Sequence, residues 1–459
     1  MGAPVTPPAP GTVVFASLAM NQTLFFHALG EALRADGYRV AYICFHQRSH
    51  ELLTAKGAFS LDAFAEGRPV EAFEDYPIGN LNLLINHERA AYEAFDTSAL
   101  VAKLARHLGA MRAIFDRIEQ QAQGPVWLVQ ELGGFLSVLA GFYEARRRGI
   151  SNFFIEPSFF RGRVFLVRDS FAALPVAGPS GKPAGAAVTA YLERALQEQA
   201  VVIPMKDRLH YRAPAKKLLD RRNLRRLAEK SLDKYVRGKH EEFEHISGHV
   251  SRHVRMYLNN RRLRPHYRAL PADAPFVYYP LHVPADFALT IRSPEYLDQL
   301  ALLDFLALAV PYPYRVAVKE HPALVGAVHA PRMKALLEAR DNLMLLDPGI
   351  NNYEVMRSAA AIVTVNSKSG AEALLLGKPV VVLGDAFYRP SALVRTVDRL
   401  RDLPSALSRV LAQPPHIARE SIQSYFQDVW DRSLPGELYD VRPDNIAAFR
   451  DALIKVLRA

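Results

Sequence analysis

The chain has 459 residues, half of them hydrophobic, and a net charge of +10 at pH 7. This length is enough for two or three domains, and the composition is typical of a soluble globular protein with large cores. The single cysteine, Cys44, excludes an intramolecular disulfide and favours a reducing compartment. This cysteine content leads us to expect a cytoplasmic protein. No apolar run approaches the roughly 18–20 residues of a membrane-spanning helix.

The positive charge is concentrated in one segment. Between Lys206 and Arg268 there are 19 Lys and Arg residues against 7 Asp and Glu residues, a net charge of +12. The rest of the chain is therefore close to neutral. A local surplus of this kind indicates one surface that faces an anionic partner.

The first part of the chain alternates apolar strands with helices. The pattern predicts strands at 12–17, 39–45, 125–130 and 152–156 and helices at 21–37, 97–122 and 134–148. A strand, a helix and a second strand at the start favour a parallel sheet. We assign residues 1–170 to an N-terminal α/β domain.

A connector and a second α/β domain follow. Residues 171–270 are predicted to form a connector with a basic helical segment, and 271–415 a second α/β domain. In the second domain the pattern predicts strands at 275–281, 314–320, 342–347, 361–365 and 379–384 and helices at 295–310, 330–340 and 352–358. Helices at 403–412, 416–433 and 444–458 close the chain, and residues 416–459 can pack back on the first domain.

Polar residues that follow the predicted strands are candidate site residues, because ligands of open parallel sheets bind outside the carboxyl ends of the strands. In the second domain His282 follows one strand, at the predicted cleft entrance, and is a catalytic candidate. Lys319, His321 and Pro322 follow the next strand and are candidates for binding the nucleotide. Strand alternation places Lys319 and His321 on the same face. Lysine and histidine at such an edge suit an anion such as a phosphate.

The stretch VNSKSGAEALLLG (365–377) places a polar segment between a strand and a helix. A helix that begins near Ser369 offers unpaired N–H groups and the positive end of its dipole to a phosphate, and Asn366, Ser367 and Gly370 lie beside it. Glu372 can accept from ribose hydroxyls. The alternative is N-capping by Ser367 or Ser369, with Glu372 completing a capping box from Ser369. The two interpretations are compatible.

Two carboxylates end strands of the first domain. Glu131 follows VWLVQ and Glu156 follows NFFI, and each is a candidate general base. The alternative for both is a carboxylate that caps a helix or forms an ion pair. The residues alone do not separate Glu131 from Glu156.

The sequence favours chemistry without a metal. It contains no Asp-x-Asp motif of the kind that binds a metal-bridged nucleoside diphosphate. His245, His249 and His253 have the spacing of one helix face, but no cysteine or acidic cluster completes a metal site there. We therefore expect neither a metal nor another cofactor.

Several motifs together resemble the bacterial capsule polysaccharide biosynthesis and export family, which includes the sialyltransferase-like β-Kdo transferases. They are YYPLHVPAD, VAVKEHP and VTVNSKSGAEALLLGKPVVVLGDAFY, with QELGGF and FIEPSFFRG in the first domain. The resemblance implies a GT-B-like α/β fold, with two Rossmann-like domains facing across a cleft and a basic helical connector. It also implies transfer from a CMP-activated sugar, with CMP-Kdo as first candidate and inversion at the anomeric carbon.

The resemblance carries over to individual residues. His321 and Pro322 match the nucleotide-binding His-Pro of the family, and Ser367 and Ser369 match its serine motif for the CMP phosphate. Glu131 falls where these enzymes keep an acidic base. The sequence departs from the family at Lys368, where a small or hydroxyl residue is commoner, and at 285–286, where Ala-Asp replaces Pro-Glu.

The implied partners are a CMP-sugar donor and a lipid-linked or oligosaccharide acceptor. Through residues 206–268 we expect contact with an anionic membrane surface, at the inner face of the inner membrane. Nucleic acid is not expected, because no recognisable binding module accompanies the charge. Two alternatives stay open: a UDP-sugar transferase or UDP-sugar 2-epimerase on the same fold, and a non-catalytic capsule assembly or export protein.

Overall fold

The computed structural model describes residues 10–92, 96–199, 221–243, 245–272, 274–322 and 324–458. The chain divides into two compact units. Unit 1 comprises Met1–Phe171, Leu224–Gly248 and Ser433–Ala459, and unit 2 comprises Ala172–Asn223 and His249–Arg432. The basic segment is thus shared between the units, and its residues 206–220 lie outside the described residues.

Unit 1 contains a seven-stranded sheet. Its strands are β1 (Thr12–Ser17), β2 (Arg39–Cys44), β3 (Phe59–Asp62), β4 (Val126–Glu131), β5 (Ser151–Pro157), β6 (Arg163–Arg168) and β13 (Leu434–Pro435). They lie in the order β13-β6-β5-β4-β1-β2-β3. Strands β1 to β5 are parallel, whereas β6 runs antiparallel to β5 and β13 antiparallel to β6. All six residues of β1 are buried, as expected of a central strand covered on both faces.

Unit 2 contains a six-stranded sheet. Its strands are β7 (Phe276–Pro280), β8 (Arg315–Lys319), β9 (Leu343–Leu345), β10 (Ala361–Thr364), β11 (Val380–Val382) and β12 (Arg395–Thr396). They lie in the order β12-β11-β10-β7-β8-β9, and every pairing is parallel. Apolar residues of these strands and of the covering helices form one buried core.

Helices cover both sheets. In chain order they are α1 (Met20–Ala35), α2 (Gln47–Ala55), α3 (Leu81–Leu84), α4 (Asn86–Tyr92), α5 (Thr97–Gln121), α6 (Leu136–Arg147), α7 (Ala186–Glu198), α8 (Arg221–Tyr235), α9 (Ile246–Leu263), α10 (Phe287–Thr290), α11 (Gln299–Ala309), α12 (Ala330–Ala339), α13 (Asn352–Ser358), α14 (Lys368–Leu375), α15 (Leu403–Ala412), α16 (Arg419–Arg432) and α17 (Pro443–Leu457). The last helix packs on α1 in unit 1, where the rings of Phe25 and Phe449 meet edge to face at 5.3 Å. Within the described ranges, no helix is both long and apolar enough to cross a membrane.

Each sheet has one point at which the strand order reverses. In unit 1 the chain builds outward from β1 through β2 and β3 on one side and from β4 on the other, and in unit 2 it does the same from β7 and β10. This is the Rossmann strand order, and the reversal point is where such sheets bind ligands. The predicted α/β fold class, with two Rossmann-like domains, is confirmed.

The predicted strands are present, but both sheets have more strands than the sequence predicted. The short strands β3 and β12 and the antiparallel strands β6 and β13 were not predicted. Strand β13 has two residues, and it exists only because Leu434 and Pro435 pair with β6. Such short pairings depend on tertiary contacts, because local propensity is weak over so few residues.

A buried ion cluster attaches Leu224–Gly248 to unit 1. The ammonium of Lys103 lies 2.9 Å from a carboxylate oxygen of Glu88 and 2.7 Å from one of Glu242. Both carboxylates are buried, and the backbone N–H of Glu242 donates to the carbonyl of Phe45. Breaking a buried pair of this kind by removing one partner is costly, so the cluster fixes this part of the basic segment.

Candidate functional site

Three polar segments meet at the reversal point of the unit 2 sheet. His282 lies two residues after β7, Asn366 two residues after β10, and Lys319 is the last residue of β8. These strands are neighbours in the order β10-β7-β8. The backbone N–H of Asn366 donates to Nε2 of His282 at 3.3 Å, which joins the segments after β7 and β10 directly.

His282 is held as a neutral imidazole. Its backbone N–H donates to Oε1 of Gln299 at 2.7 Å, and Nε2 of Gln299 donates back to its carbonyl at 3.0 Å. Burial lowers the pKa of His282 to about 4, and the positive charge of the nearby His321 acts in the same direction. Because Nε2 accepts from Asn366, the proton of the neutral ring sits on Nδ1.

Two buried polar atoms at this point have no hydrogen-bond partner among the described residues. They are Nδ1 of His282, a donor, and Oδ1 of Asn366, an acceptor. The amide orientation of Asn366 is fixed, since its Nδ2 donates to the carbonyl of Ala288 at 2.6 Å and to Oγ of Ser293 at 3.2 Å. Buried polar groups in native proteins are nearly always paired, so this donor and acceptor are candidate contacts for a polar ligand.

Helix α14 begins one residue earlier than predicted. Ser367 is its N-cap, and Oγ of Ser367 accepts from the backbone N–H of Ser369 at 3.2 Å. The alternative of a capping box from Ser369 to Glu372 is therefore wrong. Ser369 instead accepts on Oγ from Nδ2 of Asn352 at 3.2 Å. The start of the helix, with its partial positive charge, lies next to Asn366.

The structure gives Gly370 a packing role. A Cβ at this position would lie 2.3 Å from the hydroxyl of Tyr388. That hydroxyl donates to the carbonyl of Ser367 at 2.5 Å. Glycine at position 370 therefore leaves the space that the hydroxyl of Tyr388 needs to reach the carbonyl of the N-cap residue, Ser367.

Glu372 lies inside the protein. It is 4% exposed, and Lys319 is 3% exposed. Burial raises the pKa of Glu372, while Lys368, the amide of Asn352 and Lys319 act against that rise. Little of the carboxylate surface is left for a ribose hydroxyl, so Glu372 acts chiefly as a partner for the polar groups around it.

The His-Pro segment begins beyond the end of β8. The strand stops at Lys319, and the next residue, Glu320, turns inward and is buried. The predicted strand alternation therefore does not extend to His321. His321 is exposed, and Pro322 is partly exposed. Glu320 accepts from the hydroxyl of Tyr267 at 2.7 Å and from the backbone N–H of Gly326 at 2.9 Å. This anchor for the loop was not predicted, although an acidic residue between Lys319 and His321 was a visible signal.

In unit 1, Glu131 lies at the corresponding reversal point. It is the last residue of β4, which neighbours β1. Nε2 of Gln22 donates to Oε2 of Glu131 at 2.6 Å, and the hydroxyl of Tyr439 donates to the same oxygen. Gln22 is itself oriented by the backbone N–H of Leu18, which donates to its Oε1 at 2.7 Å. Donors on a carboxylate favour its ionised form, which is the form a general base needs.

Tyr439 comes from the far end of the chain. It has φ of +68°, a left-handed conformation that is uncommon for a bulky residue and costs of order 1–3 kcal/mol. Its ring meets Phe25 edge to face at 6.4 Å. Sequence reasoning missed Tyr439, because a separation of 308 residues gives no local signal. Gln22 had a local signal, since it is a polar residue in the first turn of α1, the helix that follows β1.

Glu156 occupies a different position. Glu156 was predicted to be the last residue of its strand, but β5 continues through Pro157. Glu156 pairs with Phe165 of the antiparallel strand β6. Of the two candidate bases, only Glu131 lies at the reversal point of the sheet.

No group of three or more His, Cys, Asp or Glu side chains is close enough to hold a metal in the described part of the chain. The side chain of His249 lies outside that part.

The sequence matches a family model described as "Capsule polysaccharide biosynthesis protein" over residues 145–399. It is 31% identical over 158 residues to the protein FixF of Sinorhizobium fredii, a match that covers 33% of this chain and 37% of that protein. The chain therefore spans well under half the length of this curated relative. The family model accounts for more than half of the chain and includes all the polar segments of unit 2 described above.

The solved structures that this chain matches include a β-Kdo transferase and a UDP-GlcNAc 2-epimerase. The β-Kdo 2,7 transferase of Thermosulfurimonas dismutans KpsC is 17% identical, with a TM-score of 0.36 over 75% of this chain and 89% of that one. The UDP-GlcNAc 2-epimerase of Methanocaldococcus jannaschii is 13% identical, with a TM-score of 0.27 over 92% of this chain and 99% of that one.

Proposed function

This chain belongs to the capsule polysaccharide biosynthesis protein family, and from that membership we propose that it is an inverting glycosyltransferase that uses a CMP-activated sugar. CMP-Kdo is the first candidate donor. The acceptor is a lipid-linked or oligosaccharide chain of a surface polysaccharide.

The observation that carries the proposal is the polar group at the reversal point of the unit 2 sheet. His282, Asn366 and the start of α14 meet there, at the place where open α/β sheets bind nucleotides. The unpaired donor on His282 and acceptor on Asn366 offer hydrogen bonds to a polar ligand. The helix start favours an anion.

A single phosphate suits this arrangement. When the sugar is transferred, the bond between its anomeric carbon and a phosphate oxygen breaks, and the electron pair leaves with CMP. Ser367, Ser369 and the N–H groups at the start of α14 stabilise the charge of the departing phosphate. His321 and Lys319 add positive charge, and the backbone at Pro322 fixes the loop that carries His321.

Glu131 is the proposed general base. It takes the proton of the acceptor hydroxyl as the hydroxyl oxygen bonds to the anomeric carbon, on the face opposite CMP, which gives inversion. General base catalysis contributes typically ~10²–10⁴-fold. The hydrogen bonds from Gln22 and Tyr439 keep Glu131 oriented and favour its ionised form.

The proposed location follows from the acceptor and from the charge. A lipid-linked acceptor requires the enzyme at a membrane, and the basic residues of 206–268 are attracted to anionic headgroups by about 1 kcal/mol each. We place the protein at the cytoplasmic face of the inner membrane as a peripheral protein.

Isothermal titration of CMP and of UDP against the full chain tests the donor class. We expect CMP to bind and UDP to bind much more weakly, with CMP binding weakened in Asn366→Ala. Tight UDP binding without CMP binding would overturn the proposal in favour of a UDP-sugar transferase or 2-epimerase.

Incubation with CMP-Kdo and a lipid acceptor, followed by mass spectrometry of the product, tests the reaction. We expect one or more Kdo units to be added, and the same yield in excess EDTA, because a nucleoside monophosphate leaving group needs no metal to bridge two phosphates. A known metal-dependent transferase in the same buffer is the control.

Capsule production that is unchanged by Glu131→Ala would favour a non-catalytic assembly protein.

A further inference from the structure

Helix α9 exposes an apolar stripe. Val250, Val254, Tyr257 and Leu258 are 38%, 45%, 49% and 43% exposed. Their spacing of four, seven and eight residues places them on one face of the helix. Scattered exposed apolar residues are ordinary, whereas four that adjoin on one helix face indicate an interaction surface.

The opposite face of α9 is packed in unit 2. Met256, Asn259 and Leu263 are buried. Nδ2 of Asn259 donates to the carbonyl of Gly326 at 3.1 Å, and a Cβ on Gly326 would lie 2.0 Å from the carbonyl oxygen of Met256. The helix is therefore fixed through one side, and the apolar stripe lies on the other.

Arginines border the stripe. Arg261 continues it one turn beyond Tyr257, and Arg262 lies one turn beyond Leu258. Arg255 lies beside the stripe, and all three arginines are exposed. From His245 to Ala272 the sequence has six arginines and no Asp or Glu. Helix α9 therefore contains no carboxylate that could pair with the arginines beside the apolar stripe.

We propose that this face of α9, which we call the docking face (Val250, Val254, Arg255, Tyr257, Leu258, Arg261 and Arg262), binds an anionic lipid surface with the helix lying in the interface. The apolar side chains enter the boundary between headgroups and acyl chains, and the arginines contact the headgroup phosphates. The inference rests on the proposed function for its partner, since a lipid-linked acceptor places the enzyme at a membrane, and it narrows the membrane contact to seven side chains.

The combination of charged and apolar side chains on the docking face favours a lipid surface over nucleic acid. A nucleic acid would pair with the arginines but would leave the valines and the leucine against its charged backbone. Proteins bind single strands through aromatic side chains that stack on successive bases, and the docking face has one aromatic side chain, Tyr257. A lipid surface offers anionic groups beside an apolar layer, in the same arrangement as the docking face. The helix cannot span the bilayer, because it has 18 residues and four arginines.

Co-sedimentation of the full chain with sucrose-loaded vesicles tests the proposal. We expect binding to vesicles of phosphatidylcholine with 30% phosphatidylglycerol, as a probe composition of about one anionic lipid in three, and little binding to phosphatidylcholine alone. Arg261→Gln with Arg262→Gln should weaken partitioning by about 30-fold. Val254→Ser with Leu258→Ser should weaken it by about tenfold even in high salt, where the electrostatic part is screened.

Matched variants elsewhere on the surface control for charge and hydrophobicity. Arg399→Gln with Arg401→Gln removes two exposed arginines, and Leu308→Ser removes a leucine that is 63% exposed. Both should bind vesicles like the wild type, and circular dichroism should show all variants folded. Binding that survives both docking-face variants, or equal binding to neutral vesicles, overturns the proposal, as does binding of single-stranded DNA that anionic vesicles do not displace.

The vesicle assay needs no donor and no acceptor, so it separates this inference from the proposed function. A chain that transfers sugar to a detergent-dispersed acceptor but ignores anionic vesicles overturns the docking face alone. A chain that binds vesicles through the docking face but neither binds CMP nor transfers sugar overturns the proposed function alone.

Discussion

The backbone N–H of Asn366 donates to Nε2 of His282, across the two strands at which the unit 2 sheet reverses its order. The bond requires an imidazole with a lone pair on Nε2, and burial supplies it by lowering the pKa of His282 to about 4. Protonation of His282 would replace this acceptor with a second donor facing an N–H group. The connection between the two segments therefore depends on His282 staying neutral.

His282 should make stability depend on pH between about 6.5 and 4. As pH falls through this window, His282 binds a proton in the unfolded chain but stays neutral in the folded protein. The free energy of unfolding therefore decreases. Between pH 7 and pH 4.5 the free energy of unfolding should fall in both proteins. We expect the fall in His282→Gln to be about 2 kcal/mol smaller than the fall in the wild type. Urea denaturation at the two pH values measures the difference.

The exposed His416 provides the control for this experiment. His416→Gln should lose stability on acidification as the wild type does. Identical losses in His282→Gln and the wild type would show that His282 titrates normally in the folded state.

Glu131→Gln should lower kcat by about 10²–10⁴-fold, because the variant cannot accept the acceptor proton. CMP affinity, measured by titration, should stay at the wild-type value. Glu156→Gln is the matched control, since Glu156 lies in the sheet beside β6 and should keep kcat near that of the wild type. The reverse pattern would assign the base to Glu156.

Tyr439→Phe should change the pH profile as well as the rate. The hydroxyl of Tyr439 donates to Oε2 of Glu131, and loss of a donor to a carboxylate raises its pKa. We expect the acidic limb of the kcat profile to move to higher pH, with a smaller loss at high pH than in Glu131→Gln. A uniform loss at every pH would mean that Tyr439 acts on folding rather than on Glu131.

Ser367 allows capping to be separated from phosphate binding. Its Oγ accepts from the N–H of Ser369 at the start of α14, and Ser367→Ala should cost about 1 kcal/mol of stability. Ser367→Asp keeps an N-cap acceptor but places a negative charge where the phosphate is proposed to bind. We expect it to keep the melting temperature and to lose at least about tenfold in CMP affinity.

If Ser367→Asp binds CMP as well as the wild type does, the phosphate does not lie at this helix start. Ser367 would then be a cap and nothing more.

Gly370→Ala should destabilise the protein by about 1–3 kcal/mol, the usual cost of overpacking. The added Cβ would lie 2.3 Å from the hydroxyl of Tyr388, so Tyr388 must move away from Ser367. Thermal unfolding measures the loss. Gly248→Ala, where the nearest atom to a Cβ is 3.4 Å away, is the control and should be far less damaging.

The sequence by itself predicted the long elements and the polar residues at strand ends. Strands β1, β4, β7, β8 and β10 have nearly the predicted bounds, because continuous apolar runs between turn residues leave few other structures open. For the same reason, His282 and Asn366 were found as residues that follow buried strands.

Tertiary structure decided which of these residues meet. Strand order placed Glu131 at a reversal point and left Glu156 beside β6, and no local pattern encodes strand order. Tyr439 reaches Glu131 from the far end of the chain, and Glu320 turns inward only because Tyr267 and Gly326 supply its donors. A sequence sets which side chains follow a strand through local periodicity, whereas pairings between distant segments set what each side chain contacts.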